Sequence, residues 1–315
     1  MGKIAFLFPG QGSQFVGMGK ELYDADEKFA QIFQKADERL KYPLTEIMFN
    51  GPEETLKRTE NTQPALLTMS VACLEAIKEL EIEPDYVAGH SLGEYSALVA
   101  AEAMSFEDAV YAVRMRGLFM EEAVPSGEGT MAAVLGIERE DLEKVTKEIT
   151  AQGYSVQLAN LNCPGQIVIS GTAKGVELAG EKAKQSGARR VIPLSVSGPF
   201  HSDLMKPAAE KLENILKEVA IKDSKIPIIA NVSAKEMTKA EEIKENLVAQ
   251  VYSPVLWEDS VRTLLQLGVD TFVEVGAGNV LSGLVRKIDR KVKVYQVSDR
   301  ESAKKLKEAL EHVEK

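Results

Sequence analysis

The chain has 315 residues, 44% of them hydrophobic and 27% charged, with a net charge of −10. This composition belongs to a folded globular protein and excludes a disordered or fibrous one. The acidic balance argues against general nucleic-acid binding, which draws on a broad basic surface to displace counterions from phosphates.

In chain order, the apolar run at 4–8 is too short for a signal-peptide core or a membrane span, so it is expected to be the first strand of a cytoplasmic protein. Helical patterns continue through residue 42, a helix follows near 63–80, and a strand at 86–88 completes an α/β rhythm. Helical signal resumes over 94–101 and 106–123 and stops at the breaker cluster Val124-Pro125-Ser126-Gly127. The next segment differs. Strand 129–135, helix 138–152, strand 154–160, strand 166–170, helix 173–187 and strand 190–196 give the βαββαβ order of a ferredoxin-like unit. A second breaker, Ser197-Gly198-Pro199, closes it. A helix from 202, strands at 226–230, 271–275 and 292–297, and the helices between them resume the α/β rhythm, and the charged helix at 301–315 is expected to be a solvated flank. The expected division is a large α/β domain built from 1–126 and 199–315, with a small domain of 127–198 inserted.

Cys73 and Cys163 have no C-x-x-C partner, which argues against a disulfide framework or a zinc site and leaves two buried thiols. Basic residues cluster at Lys182, Lys184, Arg189 and Arg190, and again at Arg286, Lys287, Arg290 and Lys291. Each cluster is either a solvated face or a landing site for an acidic partner.

The stretch "GHSLGEY" at 89–95 places a serine between two glycines, after a strand and before a helix. In a nucleophile elbow the glycines let strand and helix approach closely, and the first helical amides face whatever is bonded to the serine. The alternative is that Ser91 is an ordinary helix cap. A nucleophilic serine needs a base, and the chain has three histidines. His312 lies in the charged terminal helix, and His90 adjoins Ser91 and should point away from it, which leaves His201 in "GPFHS" as the candidate base or as a structural histidine at a helix start. The loop "FPGQGSQ" at 8–14 fails the dinucleotide fingerprint, because Phe15 stands at the third glycine, and fails the phosphate-loop pattern, because Met18 follows Gly17. It is either an oxyanion hole, with the N–H of Gln11 joined to that of Leu92, or a plain Gly-rich turn.

Taken together, "FPGQGSQ", "GHSLGEY", "RMRG" at 114–117, "NCPGQIVISG" at 162–171, "PFHS" at 199–202 and "EVGAGNVLSGL" at 274–284 resemble the malonyl-CoA:acyl carrier protein transacylases of type II fatty acid synthesis, in order and approximate spacing. The resemblance spans nearly the whole chain. It implies an α/β-hydrolase-like core with an inserted ferredoxin-like subdomain. It further implies that Ser91 is acylated, that His201 is its base and that the amides of Gln11 and Leu92 hold the oxyanion. Arg116 matches the arginine that pairs with the malonyl carboxylate, a task suited to a planar fork of donors. Taken by itself, an arginine on a helix is a surface group. The backbone carbonyl of Gln250 matches the group that orients the histidine in place of a carboxylate, and Phe200 matches malonyl-selective members. What the resemblance implies is a ping-pong transfer of malonyl from malonyl-CoA to the phosphopantetheine thiol of acyl carrier protein, with no metal or redox cofactor. With 315 residues and no room for a condensing or carrier domain, the chain is expected to be free-standing, and it is expected to be a monomer. A serine esterase shares the elbow but has no use for Arg116. A patatin-like acylhydrolase needs an Asp-Gly motif, and the chain has no Asp-Gly dipeptide. A silent scaffold would tolerate loss of Ser91, His201 and Arg116.

Overall fold

The computed structural model describes residues 2–313, so residues 314 and 315 of the expected C-terminal helix lie outside it. In chain order the strands are β1 (Lys3–Phe8), β2 (Tyr86–Gly89), β3 (Gly129–Leu135), β4 (Val156–Cys163), β5 (Gln166–Thr172), β6 (Arg190–Pro193), β7 (Ile228–Ile229), β8 (Glu236–Met237), β9 (Val269–Val275) and β10 (Lys293–Val297). They form two sheets. The larger has six strands in the order β10-β9-β1-β2-β7-β8, all parallel except for the β7–β8 pair. β1 sits between β9 and β2 and is buried from Ile4 onward, as expected of a strand covered by helices on both faces. Phe6 and Phe8 belong to one apolar cluster and Ala5 and Leu7 to another, so alternate residues of one strand serve the two faces.

The smaller sheet has the order β4-β5-β3-β6 and is antiparallel throughout, which is the ferredoxin-like arrangement. The helices Arg139–Ala151 and Ala173–Gln185 cover one face of it with Leu142, Val145, Ile149, Val176 and Ala179. β4 runs on to Cys163, beyond the expected end at 160, because Pro164 and Gly165 make the turn; Gly165 takes φ 70 there and Cys163 pairs with Gln166. The outer edge of β4 is covered by the large unit, since Leu161 N donates to Val255 O at 2.9 Å and Val255 N to Ala159 O at 2.8 Å.

Other elements differ from expectation for local reasons. The helix expected near 63 starts at Thr59, and its polar first turn is buried. There Asn61 Nδ2 donates to Thr55 O at 2.7 Å and Thr62 Oγ1 to Leu56 O, side-chain bonds that supply what polar residues need to stay inside. The strand expected over 226–230 shrinks to β7, and the short β8 folds back on it. β6 ends at Pro193 rather than at 196. Among the described residues no helix is long and apolar enough to cross a membrane.

Candidate active site

The elbow follows β2 directly. Ser91 adopts φ 53, a left-handed conformation that costs a non-glycine residue about 1–2 kcal/mol. Asn231, just past β7, holds it there: Oδ1 accepts from Ser91 N at 2.7 Å and Nδ2 donates to Gly89 O at 2.7 Å. The helix Gly93–Ala100 begins against the first loop, so closely that a Cβ on Gly93 would stand 2.2 Å from the Phe8 carbonyl oxygen. A Cβ on Gly10 would likewise meet the His90 carbonyl oxygen at 2.5 Å. This backbone contact brings Gln11 and Leu92 to the same cavity as Ser91. Among the described residues neither the Gln11 nor the Leu92 N–H has a protein acceptor, so both are free to donate to a ligand.

His201 comes from the junction after the small unit and meets the serine directly. Its Nε2 lies 2.8 Å from Ser91 Oγ, and its Nδ1 lies 2.8 Å from the backbone oxygen of Gln250. A carbonyl oxygen only accepts, so Nδ1 carries the proton and Nε2 presents its lone pair to the serine hydroxyl. Burial lowers the His201 pKa to about 3, with the Arg116 charge adding to the effect, so the ring is neutral at physiological pH. The other histidines are placed elsewhere. His90 Nε2 bonds Asn162 Oδ1 at 2.8 Å beside the Trp257 ring, and burial lowers its pKa; His312 is exposed on the last helix.

Arg116 is only 1% exposed, so the surface reading of this helical arginine does not hold. From the helix Phe106–Glu122 its Nη1 donates to Gln63 Oε1 at 2.7 Å, and its Nη2 to Gln250 Oε1 at 2.8 Å and to Ser91 Oγ at 3.0 Å. Among the described residues its Nε has no partner. Arg114 has a different task. Pro64 lacks the N–H that would bond the Glu60 carbonyl, and Arg114 Nη1 donates to that oxygen at 2.8 Å while its guanidinium lies 4.2 Å from the Tyr42 ring centre.

Gln250 contributes more than its carbonyl. Its side chain accepts from Arg116, and its Nε2 donates to Ser91 O at 3.0 Å and to Glu94 Oε2. Glu94 is buried, and Oε1 accepts from Asn231 N at 3.1 Å. Burial raises its pKa to about 7 against those hydrogen bonds and the Arg116 charge. Gln63, Glu94 and Asn231 were not among the residues expected at the site. Glu94 had a signal, being the one charged residue in the apolar helical stretch 93–100. Gln63 and Asn231 had none, since only the fold brings them within reach.

The cavity over Ser91 holds about 110 Å³. Arg116 closes it on one side, and Met120, Met131, Leu194, Val196 and the buried Phe200 give it apolar walls. Of the basic residues, Lys182 is paired with Glu148, whereas among the described residues Lys184, Arg189, Arg190, Arg286, Lys287, Arg290 and Lys291 form no ion pair. Cys73 and Cys163 are both buried, free thiols.

Residues 5–312 match the family model of the acyl transferase domain. The chain belongs to the acyl transferase family. This acyl transferase is 62% identical over 302 residues to the malonyl CoA-acyl carrier protein transacylase of Bacillus subtilis (strain 168), covering 96% of this chain and 95% of the relative. Its fold superposes with a TM-score of 0.95 on the malonyl CoA-acyl carrier protein transacylase of Coxiella burnetii, 39% identical, with 98% and 97% of the two chains covered. It superposes with a TM-score of 0.94 on a malonyl-transacylase solved in complex with a type II PKS acyl-carrier protein, 42% identical, with 98% and 99% covered. The α/β core with its small subdomain is therefore the fold of these enzymes.

Proposed function

We propose that the chain transfers malonyl from malonyl-CoA to the phosphopantetheine thiol of acyl carrier protein by way of a malonyl-serine. The observation that carries the proposal is that Ser91 Oγ lies within hydrogen-bond reach of both a neutral His201, at 2.8 Å, and a buried Arg116, at 3.0 Å. A nucleophile beside a buried guanidinium that, among the described residues, forms no ion pair suits an acyl group that ends in a carboxylate, and it is of no use to an esterase that takes neutral chains.

In the first half-reaction His201 Nε2 takes the Ser91 proton as Oγ bonds the thioester carbon. The amides of Gln11 and Leu92 hold the oxyanion. Collapse breaks the carbon–sulfur bond, and His201 returns the proton to the departing CoA thiolate. In the second half-reaction the carrier thiol gives its proton to His201 and attacks the serine ester, and collapse restores the Ser91 hydroxyl. Gln250 O keeps Nδ1 protonated through both halves, and no metal or redox cofactor enters. The malonyl carboxylate would offset the Arg116 charge that helps hold the His201 pKa down, so the substrate itself makes the base stronger. Phe200, forming one wall of a cavity of about 110 Å³, supports malonyl over branched homologues. The place of the reaction is fatty acid synthesis, and the compartment is the cytoplasm.

Two contacts support a docking face for an acidic carrier. Lys287 Nζ donates to Gln166 Oε1 at 3.1 Å, and the Arg189 side chain packs on Gly136, whose N donates to Gly165 O at 2.8 Å. Both basic clusters therefore flank the turn at Pro164-Gly165, close to Asn162, which holds His90 beside Ser91.

The test is intact-protein mass after mixing with malonyl-CoA or acetyl-CoA. A malonyl adduct is expected on the unmodified protein, absent in Ser91→Ala and lowered by about a hundredfold in rate in Arg116→Ala, with acetyl little affected. No adduct on the unmodified protein sinks the proposal.

A further inference from the structure

Arg116 carries the malonyl selectivity in the reading above, and what fixes the guanidinium is a chain of hydrogen bonds that ends on a residue with no assigned part in the reaction. Arg116 Nη2 donates to Gln250 Oε1 at 2.8 Å, and a guanidinium can only donate. On the other end of the same amide, Nε2 meets Ser91 O at 3.0 Å and Glu94 Oε2, both of which can only accept when the carboxyl is ionised. The amide therefore has one satisfied orientation. Turned over, it would set a donor against Arg116 and an acceptor against each of the two oxygens. Glu94 also accepts from Asn231 N at 3.1 Å, and the Asn231 side chain in turn holds the elbow at Ser91 N. The carboxylate is wholly buried, and its two oxygens are spent on these two donors.

We propose that Glu94 is a positioning residue for malonyl selectivity: its carboxylate holds the Gln250 amide with Oε1 on Arg116, which aims the guanidinium at the substrate carboxylate. The proposal rests on the transacylase reading. A glutamine at 94 makes the geometry decisive, because its NH2 must face either the Asn231 N–H or the Gln250 NH2. Either choice leaves donor against donor, and turning the Gln250 amide relieves it only by breaking the bond to Arg116.

The experiment measures, at about pH 8 where the parent Glu94 is ionised, single-turnover acylation of Ser91 by malonyl-CoA and acetyl-CoA in the parent, Glu94→Gln, Glu94→Asp, Arg116→Ala and the Glu94→Gln/Arg116→Ala double variant. Glu94→Gln should lower malonyl acylation by about tenfold or more and acetyl acylation by less than about threefold, and it should change neither rate further once Arg116 is gone. Glu94→Asp, which keeps the charge, should retain most of the malonyl preference. Equal slowing of both acyl groups, or independent losses in the double variant, overturns the inference and leaves Glu94 a structural residue. If Glu94→Gln does not fold, a Glu94→Asp protein that folds but has lost the preference overturns it as well. A parent that takes up no malonyl refutes the transacylase reading instead.

Discussion

His201 and Glu94 belong to one buried network and respond to pH in opposite directions. The His201 pKa falls from 6.5 to about 3, so between these values the unfolded chain binds a proton that the folded one refuses, and stability is lost as pH drops through that window. The Glu94 pKa rises from 4.5 to about 7, so there the folded chain binds the extra proton, and stability is lost as pH rises. Where the windows overlap the two slopes oppose each other, each at most about 1.4 kcal/mol per pH unit. Glu94→Gln removes one of them. Urea unfolding of that variant should therefore show a steeper loss of stability on acidification from pH 6.5 to 4.5 than the parent shows. Parallel curves would mean that Glu94 does not titrate in this range.

The elements that build the site meet through glycines, and the same residue type has opposite uses at the elbow and in a helix late in the chain. A Cβ on Gly89 would fall 1.9 Å from the Gly93 carbonyl oxygen, so the strand–helix joint of the elbow has no room for one. Gly283 lies inside the helix Val280–Ile288 with nothing within 4 Å of a built Cβ. Gly283→Ala should raise stability by about 0.5–1 kcal/mol, while Gly89→Ala should lower it by about 1–3 kcal/mol and abolish acylation, as thermal melts and adduct mass would show. Elements of this kind were legible where local chemistry decides them. The breaker at 124–127 marked the stop before β3, and the glycines marked the elbow. The start of the helix at Thr59 was hidden because Thr59, Glu60, Asn61 and Thr62 look like a loop, and only tertiary partners such as Arg114 and Thr55 make them helical. Ser91 could be picked out by its flanking glycines and His201 by elimination among three histidines, and their distance could not. Gln63 and Asn231 approach Arg116 and Ser91 from far along the chain, through packing that no short stretch encodes.

Over the whole molecule, a chain of net charge −10 would, in the proposed docking, have to meet a carrier protein that is itself acidic. Repulsion between two acidic bodies is screened beyond about 8–10 Å at physiological salt, so what matters is the local charge around the cavity mouth. The two basic clusters lie far apart in sequence, yet the inserted unit places the turn at Pro164-Gly165 between them, with Arg189 on one side and Lys287 on the other. In the proposed docking, the insertion thereby joins the two halves of the face that meets the carrier. Arg286 and Lys287 are exposed, and among the described residues Arg286 bonds only the Val294 carbonyl, so their charges can be reversed without opening the core. Arg286→Glu/Lys287→Glu should raise the carrier-protein KM by about tenfold and weaken its dependence on salt, with the malonyl-CoA half-reaction changed by less than about threefold. Carrier and CoA steps that slow together would show that these cations serve the nucleotide end of malonyl-CoA instead, and an unchanged carrier KM would move the docking face elsewhere.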